Sequence, residues 1–249
     1  MSLNKEELKK LREIEGKVYM LPVLKRIALY QDKYGLQNTL DYLHDIIVSG
    51  KDEVEVIIQK RVTDGLIKNA DQSRKSIVGS IFPFCIIYIF LKLKEAGLTK
   101  ENIYITSNKN IPILDKVLTV YIDGETQKPD MDLVIYSENT QGLLHKCIIL
   151  SLKTSLRERA GQTYRWKLLL EIATSADCSV KEKYNIGYQS TEMPLVCFTT
   201  INFYNEINNP QHRGMLKFFD KAFIGKPIDS EFISRLSGLI DYANGQLSS

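Results

Sequence analysis

The stretch KPDMDLVIYS, Lys128 to Ser137, decides how the rest of the chain is read. Leu133, Val134, Ile135 and Tyr136 form an unbroken apolar run with the composition of a buried strand. Asp130 and Asp132 stand at its mouth. A carboxylate leaving water needs an ion pair, hydrogen bonds or a metal to offset its lost hydration. Side chains two apart on a strand share one face, so these two acids can converge. A second charge is placed in the same way downstream, where the apolar run CIILSLK, Cys147 to Lys153, ends in Ser151-Leu152-Lys153. The turn-rich segment from Ser137 to Gly142 predicts that the two strands pair as a hairpin. Ser151 and Lys153 then share a face. Acids at the start of one strand and an amine at the end of its neighbour suit a divalent-metal site. The acids would hold Mg²⁺ through oxygen. The metal lowers the pKa of a bound water and neutralises a phosphoryl oxygen, and the lysine orients that water or stabilises developing charge.

Outward from this pair, the texture on the amino-terminal side is helical. Leu8, Leu11, Ile14 and Val18 recur at three- and four-residue steps, and Leu36 to Ser49 and Val54 to Ile67 repeat that period around Gly50. A helix is predicted from Ala70 to Ala96, ended by Gly97, with Pro83 kinking it or marking its real start. Strands are predicted at Asn102 to Thr106, Val117 to Ile122, Met131 to Tyr136, Leu144 to Leu152 and Leu195 to Ile201. Helices are predicted at Ser155 to Ser175, Met215 to Ala222 and Glu231 to Ala243. The order gives an α/β fold with a central mixed sheet flanked by helices and an N-terminal helical region. We divide it as residues 1–70, helical, and 71–249, the core with C-terminal helices.

The chain has 249 residues, 44% hydrophobic and 25% charged, with a net charge of +3, the balance of a globular protein with a sizeable core. Four scattered cysteines, Cys85, Cys147, Cys178 and Cys197, lack C-x-x-C spacing and read as reduced core thiols, which implies a cytoplasmic setting and excludes zinc. The N-terminus carries no signal peptide. The apolar stretch from Ile81 to Leu91 is shorter than the roughly 20 residues of a membrane span and reads as a buried core helix.

Pro129-Asp130, a spacer of about twenty residues, and Ser151-Leu152-Lys153 together resemble the PD-(D/E)XK nucleases. The continuation Lys153-Thr154-Ser155-Leu156-Arg157-Glu158-Arg159, with Gln162, is similar to a K-T-S/T-x-x-D/E-R stretch of type II restriction endonucleases. Arg74-Lys75-Ser76-Ile77-Val78-Gly79 is similar to the start of the helix before the core in many such enzymes. The resemblance covers about residues 72–202. It implies a restriction-endonuclease-like fold, Mg²⁺-dependent hydrolysis of double-stranded DNA at a short sequence, a 5′-phosphate product, a homodimer matched to a palindromic site and a partner DNA methyltransferase. By the same resemblance Asp130 and Asp132 hold metal and Lys153 positions the water. The pattern would put an acid at Ser151, so the third carboxylate is Glu158, Glu171 or Asp132. The N-terminal helices would dimerise or clasp DNA. Another nuclease of the superfamily, for repair or junction resolution, and a catalytically inactive DNA-binding module are the alternatives.

The cations after Lys153 bear on the substrate. Arg157, Arg159, Arg165 and Lys167 either form a solvated helix face or touch phosphates, for which arginine is well shaped. Gln162 is a candidate base reader. Asp177 to Glu192, with Lys183 and Gln189, reads as a recognition loop. His212 and Arg213, in the NNPQHRG loop, complete the DNA-binding candidates.

Overall fold

The structure is a computed structural model, and it describes residues 2–108, 110–129, 131–154, 159–176, 179–190, 192–201 and 209–248. Asp130, Arg157 and Glu158, and the side chain of Arg159, lie outside that description. The chain divides into two compact units, Met1–Glu101 with Ile224–Asp229 and Arg235–Asp241, and Asn102–Phe223 with Ser230–Ser234 and Tyr242–Ser249.

The first unit holds α1 (Lys5–Glu15), α2 (Leu21–Tyr34), α3 (Leu43–Ser49), α4 (Lys51–Thr63) and α5 (Ala70–Glu95). Helices α1, α3 and α4 pack against α5 within this unit. Helix α1 opens with a capping box, in which Asn4 and Glu7 exchange backbone-to-side-chain hydrogen bonds of 2.9 Å. The other oxygen of Glu7 accepts from Lys94 of α5 at 2.6 Å, with both side chains buried. Arg74 of α5 grips Glu55 of α4 with two bonds of 2.8 and 2.6 Å. Pro83 lies inside α5 and does not end it. At 26 residues α5 is long and apolar enough, by length and composition, to cross a membrane. Its Ile81, Phe82, Cys85, Ile89, Phe90 and Leu93 are buried in this unit, as a core helix requires.

The rest of the chain supplies, among the described residues, nine strands, β1 (Ile103–Thr106), β2 (Val120–Ile122), β3 (Glu125–Gln127), β4 (Leu133–Glu138), β5 (Leu144–Lys153), β6 (Ile186–Tyr188), β7 (Leu195–Thr200), β8 (Lys221–Ile224) and β9 (Ser234–Arg235). It also supplies α6 (Asp115–Leu118), α7 (Arg159–Thr174), α8 (Ser179–Lys183), α9 (Pro210–Phe218) and α10 (Gly238–Gln246). Six strands form a mixed sheet in the order β1-β4-β5-β7-β8-β9. β4 and β5 are the predicted hairpin, antiparallel with Leu133 opposite Leu150, and β5 runs parallel to β7 with Lys153 beside Thr200. The β5-α7-β7 connection is the crossover that parallel pairing demands. The central strands are near-continuous apolar runs because both sheet faces are covered.

Four expectations are corrected. Val117 to Ile122 is not one strand, since α6 ends at Leu118 and β2 begins at Val120. The segment from Asp177 to Glu192 is not an irregular loop in its described part, which contains α8 and β6. β6 pairs with β2 in a second antiparallel sheet, β3-β2-β6. Asp123 and Gly124, both at positive φ, make the tight turn of the β2–β3 hairpin. The helix expected over Met215 to Ala222 is displaced to Pro210–Phe218, and Lys221–Ile224 is a strand. The last helix occupies Gly238–Gln246 rather than Glu231 to Ala243.

Candidate active site

The β4–β5 hairpin brings the acid and the amine together. The backbone N–H of Asp132 donates to the Leu150 carbonyl at 3.3 Å, carrying the ladder one residue beyond the start of β4. Its Oδ2 then accepts from the Leu152 N–H at 2.7 Å and from Lys153 Nζ at 3.1 Å. The carboxylate is pinned by a backbone donor and faces the ammonium with little freedom. Lys153 is buried, its side chain 8% exposed, whereas the Asp132 side chain is 29% exposed. Among the described residues, Asp132 Oδ1 accepts no hydrogen bond. One oxygen is therefore committed and the other is open, beside a charged donor at the end of a buried strand.

Ser151 takes a different part. Its hydroxyl lies 2.6 Å from Thr163 Oγ1 of α7, and both side chains are buried. The position where the resemblance would put an acid carries a hydroxyl that stitches the strand to the crossover helix. Thr163 was not singled out from sequence, because a contact spanning twelve residues between a strand and a helix leaves no local signature.

On α7, Gln162 and Arg165 are exposed, while Thr163, Lys167 and Leu170 turn inward. Lys167, expected to reach phosphates, is instead buried and paired with Asp220 at 2.8 Å and Glu171 at 2.9 Å. Its ammonium is held by those two acids, although burial alone would push its pKa down. Asp220 also accepts from the Val196 N–H at 2.7 Å. Val196 stands beside Ile149, four residues before Lys153 on β5, or about 13 Å back along the strand. Glu171 is tied to that knot through Lys167.

The remaining candidates are dispersed. Lys183 is exposed at the end of α8, where it lies over the Tyr184 ring at 5.0 Å, and Gln189 is exposed after β6. His212 and Arg213 lie on α9 and not in a loop. Arg213 is held 5.2 Å from the Phe232 ring centre. No group of three His, Cys, Asp or Glu side chains that could hold a metal occurs among the described residues. Asp130 and Glu158, which the sequence offers for that purpose, are outside them. For a divalent cation the described donor set supplies one open carboxylate oxygen, on Asp132, of the hard type that Mg²⁺ prefers.

Residues 100–242, more than half of the chain, match the family described as BsaWI restriction endonuclease type 2. The chain belongs to that family. The span matched to the BsaWI family includes Asp132, Ser151, Lys153 and Thr163, together with the nine described strands, and it starts after α5. Over 114 residues the chain is also 33% identical to a protein of Methanocaldococcus jannaschii (strain ATCC 43067 / DSM 2661 / JAL-1 / JCM 10045 / NBRC 100440) named "Putative type II restriction enzyme MjaVIP". That stretch is 43% of this chain and 50% of the relative, so the chain spans about half the length of the curated relative it matches. The mixed α/β sheet flanked by helices is the restriction-endonuclease-like architecture that the BsaWI family implies.

Proposed function

We propose that the protein is a Mg²⁺-dependent type II restriction endonuclease that hydrolyses phosphodiester bonds of double-stranded DNA at a specific short sequence. The observation that carries this reading is the meeting of Asp132 and Lys153 at 3.1 Å at the open ends of a buried hairpin, in a chain of the BsaWI family. Asp132, with Asp130 two residues before it, would hold the cation. Bound there, the cation supplies charge neutralisation at the scissile phosphate and a more acidic water. Lys153 orients that water and offsets charge on the phosphoryl oxygens. Water attacks phosphorus, the bond to the 3′-oxygen breaks, and the products are a 3′-hydroxyl and a 5′-phosphate. Gln162 and Arg165, on the exposed side of α7, would contact the duplex, as would Arg157 and Arg159, which precede them in the sequence. Lys183, Gln189, His212 and Arg213 are further candidate DNA contacts on other elements.

The protein acts as a homodimer in the cytoplasm, beside a DNA methyltransferase that protects the same sequence. The N-terminal helices dimerise or clasp the duplex. A second reading, a DNA-binding module without cleavage, is favoured by one observation, the absence of a three-residue metal cluster among the described residues. Digestion of a plasmid of known sequence with Mg²⁺, with the fragment ends mapped, separates these readings. Discrete fragments with a common end sequence support restriction. Tight binding without cleavage would leave the inactive module, and cutting without a fixed sequence would remove the restriction reading.

A further inference from the structure

Helix α9 has an inner side, where Leu216 is buried and Phe218 packs on Tyr164 of α7 with ring centres 4.5 Å apart. Another side carries Arg213 and Lys217, one turn apart. The Arg213 guanidinium carbon and the Lys217 ammonium lie 5.2 and 5.1 Å from the centre of one ring, Phe232. Both distances are within the range of a cation–π contact. Neither cation makes an ion pair among the described residues. Several other cations are paired with an acid, as Lys94 is with Glu7, Lys167 with Asp220 and Arg74 with Glu55. Like charges at this spacing weaken a helix, and among the described residues no carboxylate pairs with either of them.

We infer that Arg213 and Lys217, held on the Phe232 ring, form a backbone clamp for the phosphates of a nucleic-acid duplex. The inference rests on the duplex-DNA reading above. A ring that fixes two long side chains removes rotamer freedom before the partner arrives, so less ordering accompanies binding. Two cations one turn apart, with no paired acid among the described residues, suit a polyanion better than a single carboxylate side chain. Their place fits as well. α9 follows β7, whose Thr200 stands beside Lys153, and it packs on α7, whose Gln162 and Arg165 are exposed. The clamp is therefore carried on the same side of the sheet as the crossover helix.

The test is the salt dependence of binding to a short duplex of arbitrary sequence, followed by fluorescence anisotropy without Mg²⁺. The slope of log K against log salt should become shallower by about 0.9 in Lys217→Gln and again by about 0.9 when Arg213→Gln is added. Lys217→Arg should keep the parent slope, and Phe232→Leu should bind more weakly although no charge is removed. Parent slopes in both glutamine variants, with the parent protein binding normally, would overturn the clamp and leave the nuclease reading untouched. Failure of the parent protein itself to bind duplex DNA would overturn both.

Discussion

At the residue scale the positions that matter are those where a charge leaves water and meets a named partner. Glu7 and Lys94 form such a pair in the first unit, buried and 2.6 Å apart. Removing one member strands the other, at a cost of about 3–5 kcal/mol. Lys94→Ala should lower the urea midpoint accordingly, and the paired replacement Glu7→Leu with Lys94→Met should recover most of the loss. The thiols follow the same logic with opposite sign. Burial pushes Cys147 and Cys197 up to about 12 and raises Cys85 as well. Since the thiolate is the reactive form, these three should resist a thiol-specific reagent at mildly alkaline pH until the protein is unfolded. Labelling of any of them in the native protein would contradict their placement. Asp132 and Lys153 were legible from sequence because both sit where an apolar run has no use for a charge. Asp130, which the sequence put first, lies outside the described residues, and the described contact to Lys153 is that of Asp132.

At the scale of elements, hydrogen bonds between side chains set how helices and strands lie on each other. Ser151 and Thr163 join β5 to α7 two residues before Lys153. Thr163→Val keeps the shape and leaves the Ser151 hydroxyl buried without its partner, a loss of about 1–3 kcal/mol. Thr163→Ser should restore most of that stability, as read from thermal unfolding of the two variants. Glu55 joins α4 to α5. The hydrogen bonds from Arg74, and then from Gln59, hold its carboxyl down at about 2, from an ordinary value of 4.5. A folded-state pKa below the unfolded one contributes stability above the unfolded value, and that contribution is lost as pH falls through the folded one. The Glu55–Arg74 link should therefore persist from neutral pH to about 3 and fail near 2. Carboxyl NMR titration of Glu55 with a midpoint near 4.5 would show that the link is absent in solution. Helical periodicity located most of the N-terminal helices, and the alternation of turns and apolar runs located β4, β5 and β7. The small β3-β2-β6 sheet was missed because its strands have three residues each, too few for a period of two to show. Lys167 was misread because a run of cations on a helix gives no sign of which one turns inward. Its partner Asp220 is 53 residues away.

At the scale of the whole molecule the account makes two demands. A two-fold symmetric substrate calls for a two-fold symmetric enzyme, so light scattering should give the mass of two chains at micromolar concentration. A single-chain mass in both the presence and absence of duplex DNA would remove the homodimer. The more direct demand concerns the centre itself. Parent protein, Asp132→Asn and Lys153→Ala should be compared on one plasmid with Mg²⁺, with duplex binding measured in parallel. The account predicts that both variants bind duplex DNA while cleaving at least about a hundredfold more slowly than the parent. Parent-like cleavage by both would contradict a centre built on Asp132 and Lys153.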